Sequence, residues 1–291
     1  MNTKTKNPGK AFFTIDVERF SDTECIYKSE VPVKQTMLDG LDRYMEILNN
    51  HNIKATLFVL TDFADEIANG LKKHLANGHK IALHGERHIP PKLLSDNEFE
   101  SQITRAKSKL EDMLGTRVIG YRAPCFGIDR QKLDILQKSG FLYDSSLMGF
   151  SKARHNTEID MSDFKKISTS TFEKNGFFEF AMSTEKIFGF NFPVSGGGYV
   201  RISNWLFTRF MLKKHFIRSD DYVFYSHPFE FSKEKLPKIK TLKSYDKYYL
   251  QCGLSSYVKK LEFIIKQLQK NGYNFSTFED EIQKSNGVIY K

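Results

Sequence analysis

Residues 81–88 read Ile-Ala-Leu-His-Gly-Glu-Arg-His: three apolar residues give way at once to two histidines set around a glycine and two charges. A short apolar run that follows an Asn77-Gly78 turn and stops on a polar residue reads as a buried strand, here 80–83 ending at His84. The two imidazoles stand four positions apart. On one turn of helix both could reach a single cation, and neutral imidazole suits zinc, copper, nickel and iron alike. The plainer reading is two surface histidines on a loop after a strand, and spacing alone does not choose between them.

Working outward, the same pattern recurs. The run 11–15 stops at Asp16, the strand pattern 117–121 ends at Arg122, and 222–226 ends at His227; a further strand is read at 53–60. Helical periodicity lies between them. Met37, Leu41, Tyr44, Met45 and Leu48 share one face, a weaker helix is read over 62–75, and Ser95 with Glu98 forms a capping box for a helix carrying Phe99, Ile103, Ala106, Leu110 and Leu114. Another helix near 129–138 stops at Gly140. Strand–helix alternation predicts an α/β fold on a parallel sheet, closed or open. Asp16, His84, Arg122 and His227 then share the carboxyl-terminal rim of that sheet, where α/β barrels collect catalytic groups.

After Phe150 the rhythm changes. Residues 151–176 are polar and irregular, 177–183 reads as a strand, 193–199 as a glycine-rich loop, and 204–215 as a basic, aromatic helix. The segment 231–254 reads as a long polar connection. A helix with Val258, Leu261, Ile265 and Leu268 on one face follows, and Phe275 and Phe278 are assigned to a final short strand or turn. With no internal repeat, low-complexity tract or interdomain linker, the chain is expected to form a polar tail over 1–10, one catalytic domain over 11–283 and a second tail over 284–291.

The 291 residues are 40% hydrophobic with 26 Phe, enough for a large core. Three scattered cysteines, Cys25, Cys125 and Cys252, form no CxxC pair and fit a reducing compartment. The opening MNTKTKNPGK lacks the apolar core of a signal peptide and no segment reaches transmembrane length, so a cytoplasmic location is expected. Net charge is +9 with a pI near 9.2, which permits an anionic partner. No nucleic-acid motif appears, and the basic clusters at 233–235 and 238–240 read as a solvated face, so nucleic acid is not expected. Trp205 and Phe207, near Arg209 and Lys213, suit either a peripheral contact with a membrane or lipid carrier or a helix face packed on the barrel.

Four segments, TIDVE at 14–18, HGERH at 84–88, YRAPCF at 121–126 and YSHPFE at 225–230, occur in the order seen in polysaccharide deacetylases of the nodulation-factor type. GFLYDSSL at 140–147 and FPVSGGGYVR at 192–201 resemble a subgroup associated with exopolysaccharide or surface-glycan synthesis. The likeness runs from about Ala11 to Ile282. It implies a distorted, incomplete (β/α) barrel with one divalent ion, usually zinc, at the strand-end rim.

Deacetylation requires water to attack an unreactive carbonyl, and a metal both lowers the pKa of water and polarises that carbonyl. Two histidines and one carboxylate would leave positions open for water and substrate; His84 and His88 supply the imidazoles. By resemblance, Asp16 is the general base, His227 the acid that protonates the leaving group, and Arg122 the partner that holds Asp16 ionised. Many relatives carry two adjacent aspartates after the first strand. Here Val17 follows Asp16 and the second acid is Glu18, which is expected to take the metal-binding place; the alternative pairs Glu18 with Arg19 or Arg122 and gives the metal to Asp16. Pro124, Gly197 and Tyr199 are assigned to substrate. The expected substrate is an acetylated glycan or a lipid- or nucleotide-linked sugar precursor. Two other readings are a hydrolase of small amides on the same barrel and a glycan-binding protein with a degenerate metal site.

Overall fold

The first strand, β1, spans Lys10–Val17, two residues beyond the apolar run at which the sequence reading stopped it. A carboxylate at position 16 does not end the strand, because its side chain turns inward to an arginine and Val17 turns outward into the apolar layer under the helices. The period of two sorts the whole strand: Phe12, Thr14 and Asp16 face inward, whereas Ala11, Phe13, Ile15 and Val17 pack outward. This is a computed structural model, and it describes residues 9–27, 33–149 and 159–286. Most of the tail expected over 1–10, residues 150–158 and the end of the tail expected over 284–291 lie outside the described residues.

The remaining strands are β2 (Ala55–Leu60), β3 (Lys80–Gly85), β4 (Gly120–Tyr121), β5 (Tyr143–Asp144), β6 (Lys165–Lys166), β7 (Thr171–Lys174), β8 (Phe177–Phe180), β9 (Thr184–Ile187), β10 (Phe190–Pro193), β11 (Asp221–Ser226) and β12 (Asn274–Phe275). The main sheet runs β11-β1-β2-β3-β4-β5-β8-β7-β6, with β12 beside β1. Its strands are parallel from β11 to β8 and antiparallel at β7 and β6. No strand pairing among the described residues joins the two ends of this sheet. Side chains span the gap instead: Ser183 Oγ accepts the Val223 N–H at 2.9 Å, and the Asp221 carboxylate accepts from Thr171 Oγ1 at 3.0 Å. The result is an incomplete barrel.

Phe12, Phe58, Ala82, Tyr143, Phe180 and Val223 fill its interior. The helix Phe278–Asn286 plugs the amino-terminal end, with the Phe278 ring stacked on Phe180 at 4.2 Å and Ile282 one turn on. This corrects the assignment of Phe278 to a strand or turn. With only the pair Phe278 and Ile282 as an apolar period, a helix this short leaves little pattern to read. Helices Asp39–Asn50, Asp96–Leu114 and Arg130–Lys138 fall where periodicity placed them, and Ser95 and Glu98 form both bonds of their capping box. A helix at Ser244–Gln251 lies inside the expected polar connection, and the β9–β10 hairpin was not expected.

Candidate active site

Glu18, His84 and His88 converge at the carboxyl-terminal rim, with one potential ligand atom from each lying within 4.8 Å of the others. Glu18 Oε2 is 2.9 Å from His88 Nε2 and 3.9 Å from His84 Nε2, yet it is buried and receives no well-aligned hydrogen bond. The two histidines do not share a helix turn as their spacing suggested. His84 is the penultimate residue of β3, and Gly85, at φ +119°, ends the strand and turns the chain so that His88 comes back beside His84, with ring centroids 5.5 Å apart.

The protonation pattern suits a cation. His84 Nδ1 lies 2.8 Å from the Arg122 carbonyl; a carbonyl only accepts, so Nδ1 carries the proton and the Nε2 lone pair faces Glu18. Burial pushes the His84 pKa down to about 4, which keeps the ring neutral. Burial opposes a charge on Glu18 as well, but His88 and His227 overcome it and hold that carboxyl at about 2. His88 moves the other way: burial lowers its pKa, and the stronger pull of Glu18 raises it. A buried carboxylate with an orphaned oxygen, facing one neutral and one proton-holding imidazole, fits a divalent cation that would replace the proton.

Behind this group, Arg122 is fully buried, with each guanidinium nitrogen hydrogen-bonded. It donates to Ser145 O, Thr14 Oγ1, Asp16 Oδ1 and Ser145 Oγ at 2.7–2.9 Å, and lies 4.0 Å over the Phe58 ring. The 2.7 Å contact fixes the orientation of Asp16 and sets a positive charge against its buried carboxylate. Arg19 bonds Asp22 and Asp62. Both arginines named as alternative partners of Glu18 are therefore engaged elsewhere.

His227 closes the opposite side, its Nε2 3.9 Å from Glu18 Oε1. Glu230 accepts the His227 backbone N–H at 3.1 Å, lies 3.5 Å from its Nδ1, and meets Arg201 Nε at 3.1 Å; Arg201 also donates to the Cys252 carbonyl. Burial lowers the His227 pKa, but Glu18 and Glu230 raise it by more, to about 9. The sequence reading gave no role to Glu230 or Arg201. Their signal was present, since Glu230 follows His227 by three residues in YSHPFE and Arg201 ends FPVSGGGYVR.

The residues assigned to substrate divide differently. Pro124 is buried, and a side chain at Gly85 would touch its ring at 3.6 Å. A Cβ on Gly197 would fall 1.7 Å from Glu230 Oε2, so glycine is needed there for the close approach of this carboxylate. The structure gives both residues packing partners in place of an open face toward a sugar. Tyr199, 36% exposed, is the one of the three that reaches solvent.

Residues 36–143 match the family model for polysaccharide deacetylases, and residues 145–280 match a second model described as a domain of unknown function, DUF3473. Over residues 36–143 the chain is thus similar to polysaccharide deacetylases. It is 30% identical over 141 residues to a peptidoglycan deacetylase-like protein of Gibberella zeae, covering 46% of this chain and 41% of that one. It is 26% identical over 153 residues to a peptidoglycan-N-acetylglucosamine deacetylase of Bacillus cereus, covering 51% of each. The match thus spans about half the length of these curated relatives, or less. A crystal structure of a putative polysaccharide deacetylase from Mycobacterium smegmatis superposes with a TM-score of 0.61 at 20% identity, covering 98% of this chain and 94% of that one, and shares the fold. The first match carries His84, His88 and Arg122, whereas His227, Glu230 and Arg201 lie in the second. The rim is assembled from both, together with Asp16 and Glu18, which precede the first match.

Proposed function

We propose that this chain is a zinc-dependent deacetylase that removes an acetyl group from an acetylated sugar of a surface glycan or of its precursor. The observation that carries this reading is the presence, on one rim, of three separately held groups: the Glu18–His84–His88 donors, the Asp16–Arg122 pair and the His227–Glu230–Arg201 series. Glu18, His84 and His88 would hold a divalent ion, which would supply Lewis acidity to lower the pKa of water and polarise the acyl oxygen. Asp16, fixed by Arg122, takes the proton from the attacking water. His227, on the far side of Glu18 and held protonated, donates to the departing amine or alkoxide. Thr14, Ser145 and Phe58 immobilise the arginine, so that the base needs no rearrangement.

A protein that merely binds glycan has no need of a paired base and a proton-holding acid flanking the same donors. The net charge of +9 supports a diphosphate-linked sugar met in the cytoplasm as the precursor form. The test combines metal analysis of the purified protein with acetate release from acetylated oligosaccharides, nucleotide sugars and lipid-linked sugars. A metal-loaded protein that releases no acetate from any of them would refute the reading.

A further inference from the structure

One region stands apart from the rim in composition. Residues 186–218 contain six basic residues and no Asp or Glu, in a chain that carries 35 acidic residues. The same stretch holds seven of the twelve exposed large apolar side chains among the described residues: Phe188, Phe190, Tyr199, Leu206, Phe207, Phe210 and Ile217. Phe188 is 95% exposed, Leu206 73%, Phe190 71%, Ile217 67% and Phe210 59%. Apolar surface concentrated in this way marks a contact site.

The geometry gathers these residues into one surface. On the helix Trp205–Arg218, the buried side is Thr208, Met211, Leu212, His215 and Phe216. Trp205 packs on Phe263 at 5.1 Å, and Arg209 lies over the same ring, so that flank rests on the helix Leu254–Lys270. The other flank rests on the β9–β10 hairpin, where Phe207 meets the Phe192 ring at 5.9 Å and Lys214 donates to the Lys186 carbonyl at 2.8 Å. What remains outward is Leu206, Phe210, Lys213 and Ile217, spaced i, i+4, i+7 and i+11 along a single stripe. Beside it stands the hairpin, with Phe188 and Phe190 at its tip and Lys186 one pair behind them. The acid nearest in sequence, Glu185, is buried and paired with Lys214, His215 and Arg218.

We infer that this hairpin-and-helix face docks on an anionic lipid bilayer, with Phe188, Phe190, Leu206, Phe210 and Ile217 entering the interface and Lys186, Lys213 and Arg218 meeting lipid headgroups. Charge complementarity selects the occupant. In a two-fold dimer through this face the patch would meet itself and set cation against cation. An anionic headgroup layer answers both halves of the surface at once, because aromatic and aliphatic side chains partition into the interface while lysine and arginine are drawn to its charge. No helix among the described residues is long and apolar enough to cross a membrane, and the proposed contact is peripheral. The face is joined to the rim by the Gly197–Ile202 helix, which packs against Glu230, so docking would hold the site close to the lipid surface. The proposal does not depend on deacetylase activity.

The test is co-sedimentation of the full chain with phosphatidylcholine vesicles, with and without phosphatidylglycerol. Binding is expected only to the anionic vesicles and is expected to weaken as salt rises. Phe188→Ser with Phe210→Ser should lower the partition coefficient at least tenfold, and Lys213→Glu by about fivefold or more. Circular dichroism should be unchanged for all three, since each side chain is exposed. The proposal is overturned if the wild-type chain ignores anionic vesicles, if it binds neutral ones equally, or if the folded variants bind like wild type. It is also overturned if sedimentation shows a wild-type dimer that Phe210→Ser converts to monomer, which would assign the face to a second copy.

Discussion

Replacing Glu230 with Gln tests whether His227 is held as an acid. Glu230 lies 3.5 Å from His227 Nδ1; a pair of unit charges at that distance, with an effective dielectric constant of about 20, attracts by about 5 kcal/mol. Arg201, 3.1 Å from the other carboxylate oxygen, offsets most of that field, leaving a net effect on the order of 1–2 kcal/mol, or about one pH unit. A cation beside Glu18 would offset that carboxylate too, which makes Glu230 the anion on which the His227 proton chiefly depends. The sign follows from the role. A general acid must be protonated, so the rate falls as pH rises through its pKa, here about 9. Removing the Glu230 charge lowers that pKa, and the basic limb of the kcat profile should move about one unit toward acid. Stability should fall as well. The raised pKa contributes stability that is fully present below the unfolded value near 6.5 and is lost as pH rises through about 9, so this part of the deficit should shrink in alkali. The unpaired Arg201 adds a loss of up to about 3–5 kcal/mol, reduced because Gln still presents an oxygen to it. Glu230→Asp, which keeps the charge, should restore much of the limb. The readouts are pH–rate profiles of acetate release, with metal content measured in each variant. A basic limb that stays in place with metal retained would refute the coupling of Glu230 to His227.

Glu18→Gln should cost metal content measured by elemental analysis, whereas Asp16→Asn should keep metal and lose kcat by at least about a hundredfold; the reverse pattern would exchange the two carboxylates. The buried pair Asp144 and Glu179 offers a pH prediction away from the rim: burial pushes Asp144 up to about 6 and raises Glu179 further above its usual range. Their stabilising contribution is present below pH ~4 and falls as pH rises through about 6, at roughly 1.4 kcal/mol per pH unit per proton, so urea titrations should show Glu179→Gln flattening this decline, and parallel curves would exclude the pair as its cause. Gly197→Ala places a methyl 1.7 Å from Glu230 Oε2 and should destabilise by about 1–3 kcal/mol. Gly70→Ala, in a helix with nothing within 4 Å, should instead be neutral or stabilising by up to about 1 kcal/mol, and equal thermal shifts for the two would count against the packing argument.

Much of the barrel was legible because burial on both faces leaves a simple mark. β2 and β3 are continuous apolar runs with hardly an exposed residue, the pattern of a parallel strand covered by helices. The second half was harder for identifiable reasons. β4 shrinks from the expected 117–121 to Gly120–Tyr121, since register with β3 fixes its length and that register is not local information. The β9–β10 hairpin turns through Phe188, at φ +49°, and Gly189, and its tip is apolar where a turn signal would be polar. The helix Trp205–Arg218 was readable as a helix but not in its orientation, because apolar residues lie all round it. Of the candidate site, every group that ends a strand was visible as a charge after an apolar run. Arg201 and Glu230 follow no strand, and although both stand in the quoted segments, only the folded chain brings Arg201 to Glu230 and so shows that they act through His227.

The first strand shows why two carboxylates separated by a valine can serve one rim. Because β1 continues to Val17, Asp16 and Glu18 project to the same side, roughly one strand repeat of ~7 Å apart along the backbone. Both are nearly inaccessible to solvent, and two buried carboxylates facing one direction would repel unless each had its own counter-charge. The interior provides them in separate layers. Arg122, immobilised on Phe58 and Ser145, neutralises Asp16 one layer down; the histidines neutralise Glu18 at the mouth. Val17 is what keeps those layers apart, since it anchors the strand outward among the helices. Two acids at adjacent positions on a regular strand would point to opposite faces, and sharing the rim would then require the backbone to leave the pleat. Here the pleat itself sets the division, with the shorter carboxylate at the arginine and the longer one at the imidazoles.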